Sequence, residues 1–253
     1  MQYIQITSEN LDKEHICCSI SSNKDISVKS KKNWLRERFK DGLVFYKLDQ
    51  RGKCFIEYIP AEKSFYGIYA PSFMHINCLW VSGVFKNNGH GEALLEHCIN
   101  DSKAKGMKGL TVISSKKKLP FLSDPSFLAH YGFIECDNTE PYFTLMYLPF
   151  SNDVVKPSFL ESVKRPVLDD GFVLYYSNGC PFTEKYVPLI VDVFNKHNIS
   201  IKVIKLERVE EAKASPCAWT NFSLFYNKKL VTHEILSEKK TEEIINKLVT
   251  NYR

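Results

Sequence analysis

The stretch from Leu79 to Leu95 limits the fold more than any other part of the chain. A strand-like run, Leu79-Trp80-Val81, leads through Gly83, Gly89 and Gly91 into an apolar helical pattern. That helix is read over Glu92 to Lys105, with Ala93, Leu94, Leu95, Cys98 and Ile99 at helical spacing. A strand, a glycine loop and a helix in this order aim several backbone N–H groups at one place. Anions collect there, because a helix N-terminus carries about half a positive charge and up to four unpaired donors. Gly89 and Gly91 have no Cβ, so a diphosphate can come close to the main chain. Two common phosphate loops do not fit. No Gly-Lys-Ser/Thr follows, and Leu94 stands where the third glycine of a dinucleotide fingerprint would fall.

Around this centre the chain reads as alternating strands and helices. Tyr3 to Thr7 is a strand, and Ser8-Glu9-Asn10 opens a helix with Leu11, Ile16 and Ile20 on its apolar side. A second helix runs from Lys31 to Phe39 and stops at Asp41-Gly42. Leu43 to Leu48 and Lys53 to Ile59 then pair around Gln50-Arg51-Gly52. His75 to Val81 feeds the glycine loop, with His75 and Asn77 on one face of the strand. Leu110 to Ser114 is a β-branched strand, Asp124 to His130 a short helix, and Thr144 to Leu148 a closing strand. From Pro149 to Asp170 the pattern dissolves among Pro149, Pro157 and Pro166, as in a linker or wrapping segment. Beyond it come a strand (Phe172 to Tyr176), a helix (Pro181 to Asn195) and a strand (Ser200 to Leu206). A hairpin (Ser223 to Tyr226 with Leu230 to Ile235) and a helix (Lys239 to Val249) complete the second unit. A chain of 253 residues suits two modest cores.

Lys86-Asn87-Asn88-Gly89-His90-Gly91, following Val81-Ser82-Gly83, resembles the pyrophosphate motif of the GNAT N-acetyltransferases, Gln/Arg-x-x-Gly-x-Gly/Ala. Lys takes the first position, and Gly83 stands where proline is common. Ser126 to Phe133, ending in Tyr131-Gly132-Phe133, is similar to the Gly-Phe element of the same family. The resemblance spans residues 1–150 and implies acetyl-CoA as cosubstrate, attacked directly by a primary amine, with a small molecule the leading acceptor and a protein the alternative. It implies a strand splayed from its neighbour, so that Leu79, Trp80 and Val81 pair with the pantetheine arm and offer an amide to the oxyanion. It implies Lys86, Asn87, Asn88, Gly89, His90, Gly91 and Glu92 as the pyrophosphate cradle, with Lys86 a point charge and His90 a positioning residue. Ser114 is an implied pantetheine contact. His75 is a candidate base, since imidazole can titrate near neutral pH. The family's thiolate-protonating tyrosine falls at Leu128 here, which leaves Tyr131 or solvent for that role.

Ser177-Asn178-Gly179-Cys180-Pro181-Phe182-Thr183 resembles the thioredoxin active-site turn, with Cys-x-x-Thr in place of Cys-x-x-Cys. A thiol at a helix N-terminus is biased toward thiolate, which makes Cys180 a redox candidate. Without a second cysteine in the motif it cannot resolve a mixed disulfide, so dithiol oxidoreductase activity is not expected. The cis-proline position of that fold aligns with Thr220. Pro216-Cys217 lies just before it, which leaves a Cys180–Cys217 pairing open. As a whole the chain is similar to the YoaP-type acetyltransferases. An α/β (α+β) protein is implied: a GNAT acyl-CoA N-acyltransferase fold over 1–150, a linker over 151–170, and a smaller thioredoxin-like domain over 171–253. Two other readings stay open: a non-catalytic CoA-binding protein in which Cys180 senses redox state, and a monothiol redox protein with a regulatory N-terminal half.

The net charge of +5 is spread over both halves, and the clusters Lys29, Lys31, Lys32 and Lys116 to Lys118 read as solvated faces. No helix-turn-helix, finger or basic-aromatic signature accompanies the charge, so nucleic acid is not an expected partner. The eight cysteines are scattered, no signal-peptide pattern precedes them, and no apolar run approaches the roughly 20 residues that cross a bilayer. A cytoplasmic protein with reduced thiols, no membrane span and no metal site is expected.

Overall fold

The computed structural model describes residues 2–164 and 169–249. Pro166 of the expected linker and the last four residues lie outside the described residues. In chain order the first part comprises β1 (Tyr3–Ile6), α1 (Ile26–Phe39), β2 (Val44–Leu48), β3 (Cys54–Pro60), β4 (Ile68–Tyr69), β5 (Phe73–Val81), α2 (His90–Ala104), β6 (Gly109–Ser115), α3 (Pro125–His130), β7 (Ile134–Thr139) and β8 (Phe143–Pro149). The rest comprises β9 (Ser158–Phe159), α4 (Glu161–Lys164), β10 (Phe172–Tyr176), α5 (Thr183–Lys196), β11 (Ile201–Lys205), α6 (Val209–Ala214), β12 (Phe222–Tyr226), β13 (Lys229–Thr232) and α7 (Glu238–Val249).

Seven strands form one sheet in the order β1-β2-β3-β5-β6-β8-β7, in which β5 and β6 are the parallel pair. The helix α2 covers one face through Leu94, Leu95 and Cys98, which pack on Ile56, Tyr58, Met74, Ile76, Leu110 and Val112. The other face is shared. Leu35 of α1 packs there with Phe45, Phe55 and Ile59, while Phe73, Ile113 and Phe143 meet Ala218 and Trp219 of the second unit. That unit is a four-stranded sheet in the order β11-β10-β12-β13, with β10 parallel to β11 and antiparallel to β12. The helices α5 and α7 fill one side of it, and Val173, Tyr175 and Phe225 on the other side pack with Phe65. Between the units, β9 pairs with β4, so the segment after Pro149 wraps back along the first sheet.

Two expectations are corrected. Residues 8–20 form turns and no helix, because Leu11, Ile16, Cys17 and Cys18 are all buried at spacings that no helix face provides. The buried Lys32 ammonium also takes the carbonyls of Asp12 (3.3 Å) and Glu14 (2.9 Å) out of any helical ladder. The same observation overturns the reading of the Lys29–Lys32 cluster as a solvated face: Lys31 and Lys32 are 2% and 5% exposed. Lys116 to Lys118 are exposed. The helix α1 also begins earlier than its apolar pattern suggests, at Ile26, where Asp25 accepts from the amide of Ser27 at 2.8 Å. The short α6 adds to the expected elements.

Candidate active site

The glycine loop ends as its sequence requires. Gly89 is the N-cap of α2 at φ 75°, a left-handed conformation that glycine adopts without strain, and no side chain caps the helix behind it. The first helical amide with a partner is that of Ala93, which donates to Gly89 O at 3.0 Å. The amides of His90, Gly91 and Glu92 have no acceptor among the described residues. Lys86, Asn87, Asn88, Gly89 and Glu92 are exposed, so this donor set faces solvent. His90 is buried instead, and Tyr3 Oη lies 2.7 Å from its Nδ1, which pins the first residue of α2 to the edge strand β1. A helix start that is open, uncapped and flanked by a lysine fits a diphosphate.

The strand that feeds this loop parts from its neighbour. The β5–β6 ladder ends at Ile76–Val112, although β5 runs on to Val81 and β6 to Ser115. The break coincides with a bulge: Glu57 pairs with Cys78 and Tyr58 with Ile76, so Asn77 is the extra residue. The bulge reverses the facing of residues 78–81. Leu79 and Val81 pack on the α2 side, whereas Cys78 and Trp80 join the α1 side. Ser82 N donates to Lys53 O at 2.9 Å, so antiparallel alternation turns the amides of Trp80 and Cys78 toward β3 and those of Leu79 and Val81 into the gap. Of the three residues expected to offer main-chain groups there, Trp80 is thus corrected: its amide is committed to β3.

On the face opposite α2, beside the bulge, lies a buried polar cluster to which both units contribute. Lys31 Nζ lies 2.7 Å from Glu57 Oε2, each side chain 2% exposed, and it also donates to Gly179 O at 2.6 Å. Asn77 Nδ2 donates to the other oxygen of Glu57 at 3.0 Å, which ties the carboxylate to the bulge. Asn221 Nδ2 donates to Tyr66 Oη at 3.2 Å across the seam. A Cβ on Gly179 would lie 2.3 Å from Asn221 Oδ1, so glycine is required for this approach. Cys180 follows directly, within electrostatic reach of Lys31 and Glu57.

The remaining sequence candidates sort clearly. His75 is fully enclosed, its Nδ1 is 3.0 Å from Thr111 Oγ1, and its Nε2 has no partner among the described residues. Burial pushes its pKa down to about 3, with Lys213 adding to the effect, so it does not titrate near neutral pH and cannot serve as the expected base. Ser114 is also enclosed, and its hydroxyl donates to Ser123 O at 2.7 Å; it is not a free side-chain contact for a ligand. Tyr131 is half-buried at the end of α3, 4.8 Å from the ring of Phe127, which in turn lies against Gly91. Cys180 is partly exposed, yet desolvation by its surroundings pushes its thiol up to about 11, outweighing the Phe182 amide and Lys31. It does not pair with Cys217, and both are free thiols. No group of three His, Cys, Asp or Glu side chains among the described residues is placed to hold a metal ion. No helix among them is long and apolar enough to cross a membrane.

The YoaP-like family model matches residues 200–242, from β11 into α7. The uncharacterized N-acetyltransferase YoaP of Bacillus subtilis (strain 168) is 45% identical over 250 residues, covering 98% of this chain and 100% of that protein. The chain belongs to the YoaP-like N-acetyltransferases. Similar solved structures include the PaiA N-acetyltransferase from Thermoplasma acidophilum in complex with coenzyme A (16% identity, 59% of this chain, 100% of that one, TM-score 0.39). A GNAT-family acetyltransferase from Staphylococcus aureus MU50 is another (15% identity, 59% of this chain, 99% of that one, TM-score 0.42).

Sequence reasoning missed the residues that seal this YoaP-like site. Glu57 sits in the run Phe55-Ile56-Glu57-Tyr58-Ile59, where a lone carboxylate among apolar residues is itself a signal of a partnered buried charge. Lys31 hid within a lysine cluster, and only the fold shows that one of its members turns inward. Asn77 carried no signal, because a bulge is a property of strand pairing.

Proposed function

We propose that this protein transfers an acetyl group from acetyl-CoA to a primary amine of a small molecule, by direct attack in a ternary complex. The observation that carries this reading is the open first turn of α2, three unpartnered amides placed at the end of a strand that leaves its neighbour. The amides of His90, Gly91 and Glu92 hold the diphosphate, with Lys86 as its counter-charge. Val81 pairs with the pantetheine arm in the gap, and the amide of Leu79 faces the carbonyl oxygen as it gains charge. Acetyl-CoA supplies the thioester. The acceptor reaches the carbonyl from the opposite face, where Glu57 is the carboxylate nearest the bulge. Burial beside the neutralised Lys31–Glu57 pair favours an uncharged amine, and the proton released on attack passes to water. Tyr131, near the α2 start, returns a proton to the departing thiolate.

Residues 1–150 are read as the transferase domain and 151–170 as a wrapping linker, with a thioredoxin-like domain over 171–253. The strand order β11-β10-β12-β13 with its parallel first pair supports the last assignment. The eight free thiols suit a reducing cytoplasm.

Thiol release from acetyl-CoA, followed with a panel of small amines, tests the proposal. Amine-dependent release is expected. Tight coenzyme A binding without release would favour the second reading, a non-catalytic CoA-binding protein. That reading draws on Leu128, which is core where the resemblance places a tyrosine.

A further inference from the structure

A cleft of about 270 Å³ is lined by residues of both units. Its walls include Cys18, Ser19, Ser21 and Lys53 of the first unit and Phe182 and Lys185 of the second. Cys18 is 6% exposed and lies within electrostatic reach of Lys31, Glu57, Cys78 and Cys180. Cys18 also shares a buried cluster with Cys78 and Trp80, which places this part of the lining on the face opposite α2, next to the bulged end of β5.

Lys53 extends its ammonium over the ring of Trp80 at 4.3 Å and has no carboxylate partner among the described residues. Lys185 stands on the opposing wall. Asp25 is the carboxylate of the lining; it accepts from Ser27 N at 2.8 Å and Ser21 Oγ at 3.1 Å at the start of α1, and its charge lies within electrostatic reach of Lys185, which leaves Lys53 as the lysine without a carboxylate. The lining thus carries two lysines against one carboxylate, while the Lys31–Glu57 pair beyond Cys18 is balanced. The volume leaves room for a small molecule.

We propose that this cleft is the acceptor port, and that the acceptor is a small amine bearing a carboxylate. The carboxylate rests between Lys53 and Lys185, and the amine points inward to Glu57 and the bulge. The second unit then selects the substrate, since it supplies one wall of the port. This inference rests on the acetyltransferase reading and adds the acceptor's chemical class to it.

The test compares amino acids with their amides as acceptors for the full chain, at saturating acetyl-CoA. A kcat/KM at least about ten-fold higher for the carboxylate form is expected, the size of one charge-assisted contact. The preference should fall to about one in Lys53→Gln combined with Lys185→Gln, mainly through KM for the amino acid. Calorimetric titration of an amino acid onto the coenzyme A complex gives a second readout without turnover. Heat that disappears in the double variant supports the port. Release with amides as fast as with amino acids, or calorimetric binding that ignores both lysines, overturns the port and leaves the transferase reading standing. Failure to bind coenzyme A would instead remove that reading, and titration of the amino acid alone would still decide the port.

Discussion

Glu57→Gln is the substitution from which most can be learned. Glu57 and Lys31 are 2.7 Å apart and each 2% exposed, so removing one charge strands the other without solvent. Breaking such a pair costs about 3–5 kcal/mol, out of a total stability of about 5–15 kcal/mol for a typical domain. The lower end applies here, because Lys31 keeps the Gly179 carbonyl at 2.6 Å. A loss of about 3 kcal/mol is about two orders of magnitude in the folding equilibrium. Lys31→Met should cost more, since Glu57 retains only the Asn77 amide among its side-chain hydrogen bonds. The double variant, Lys31→Met with Glu57→Gln, buries no stranded charge and should recover most of the loss. Urea unfolding followed by tryptophan fluorescence measures all three. Acetyl transfer should follow the fold: it should fall in Glu57→Gln and recover with stability in the double variant. A single-variant cost below about 1 kcal/mol, the range of solvated pairs, would refute the reasoning by showing that water enters the seam.

Three further outcomes are expected. Below about pH 6.5 the unfolded chain protonates His75 while the fold, with its pKa about 3, refuses the proton, so stability drops as pH falls through that window. The loss reaches about 2 kcal/mol at pH 5, and His75→Asn should flatten the slope; an unchanged slope would contradict its burial. Gly89→Ala meets no atom within 4 Å but places alanine at φ 75°, which costs about 1 kcal/mol. Calorimetry should show weaker coenzyme A binding in a protein that still folds. Cys180→Ala should retain acetyl transfer, and the wild-type thiol should alkylate slowly at pH 7, since its pKa is pushed up to about 11; rapid alkylation would revive a redox role.

Much of this fold was legible, and the exceptions share a cause. The glycine loop, the strand before it and the helix after it arise from local preference, since Gly89 is needed wherever a chain turns left-handed into a helix. The hairpins and β10 were readable from apolar alternation and turn residues. The features that could not be read depend on partners distant in sequence. Residues 8–20 look helical by composition, but the carbonyls of Asp12 and Glu14 are claimed by Lys32, about 20 residues away. Lys31 looks solvated until Glu57 of β3 and Gly179 of the second unit converge on it. His75 has the right chemistry for a base, and only its complete enclosure shows that it stays neutral. The register slip that sets Asn77 against Glu57 exists only between paired strands.

The central claim is that the first-turn amides of α2 grip a diphosphate. Backbone amide shifts of Gly89, His90, Gly91 and Glu92, monitored by NMR during titration, test it directly. Coenzyme A should move these four signals strongly, while pantetheine, which lacks the diphosphate, should leave them nearly still. Equal shifts with both molecules, or no response to coenzyme A, would contradict the account.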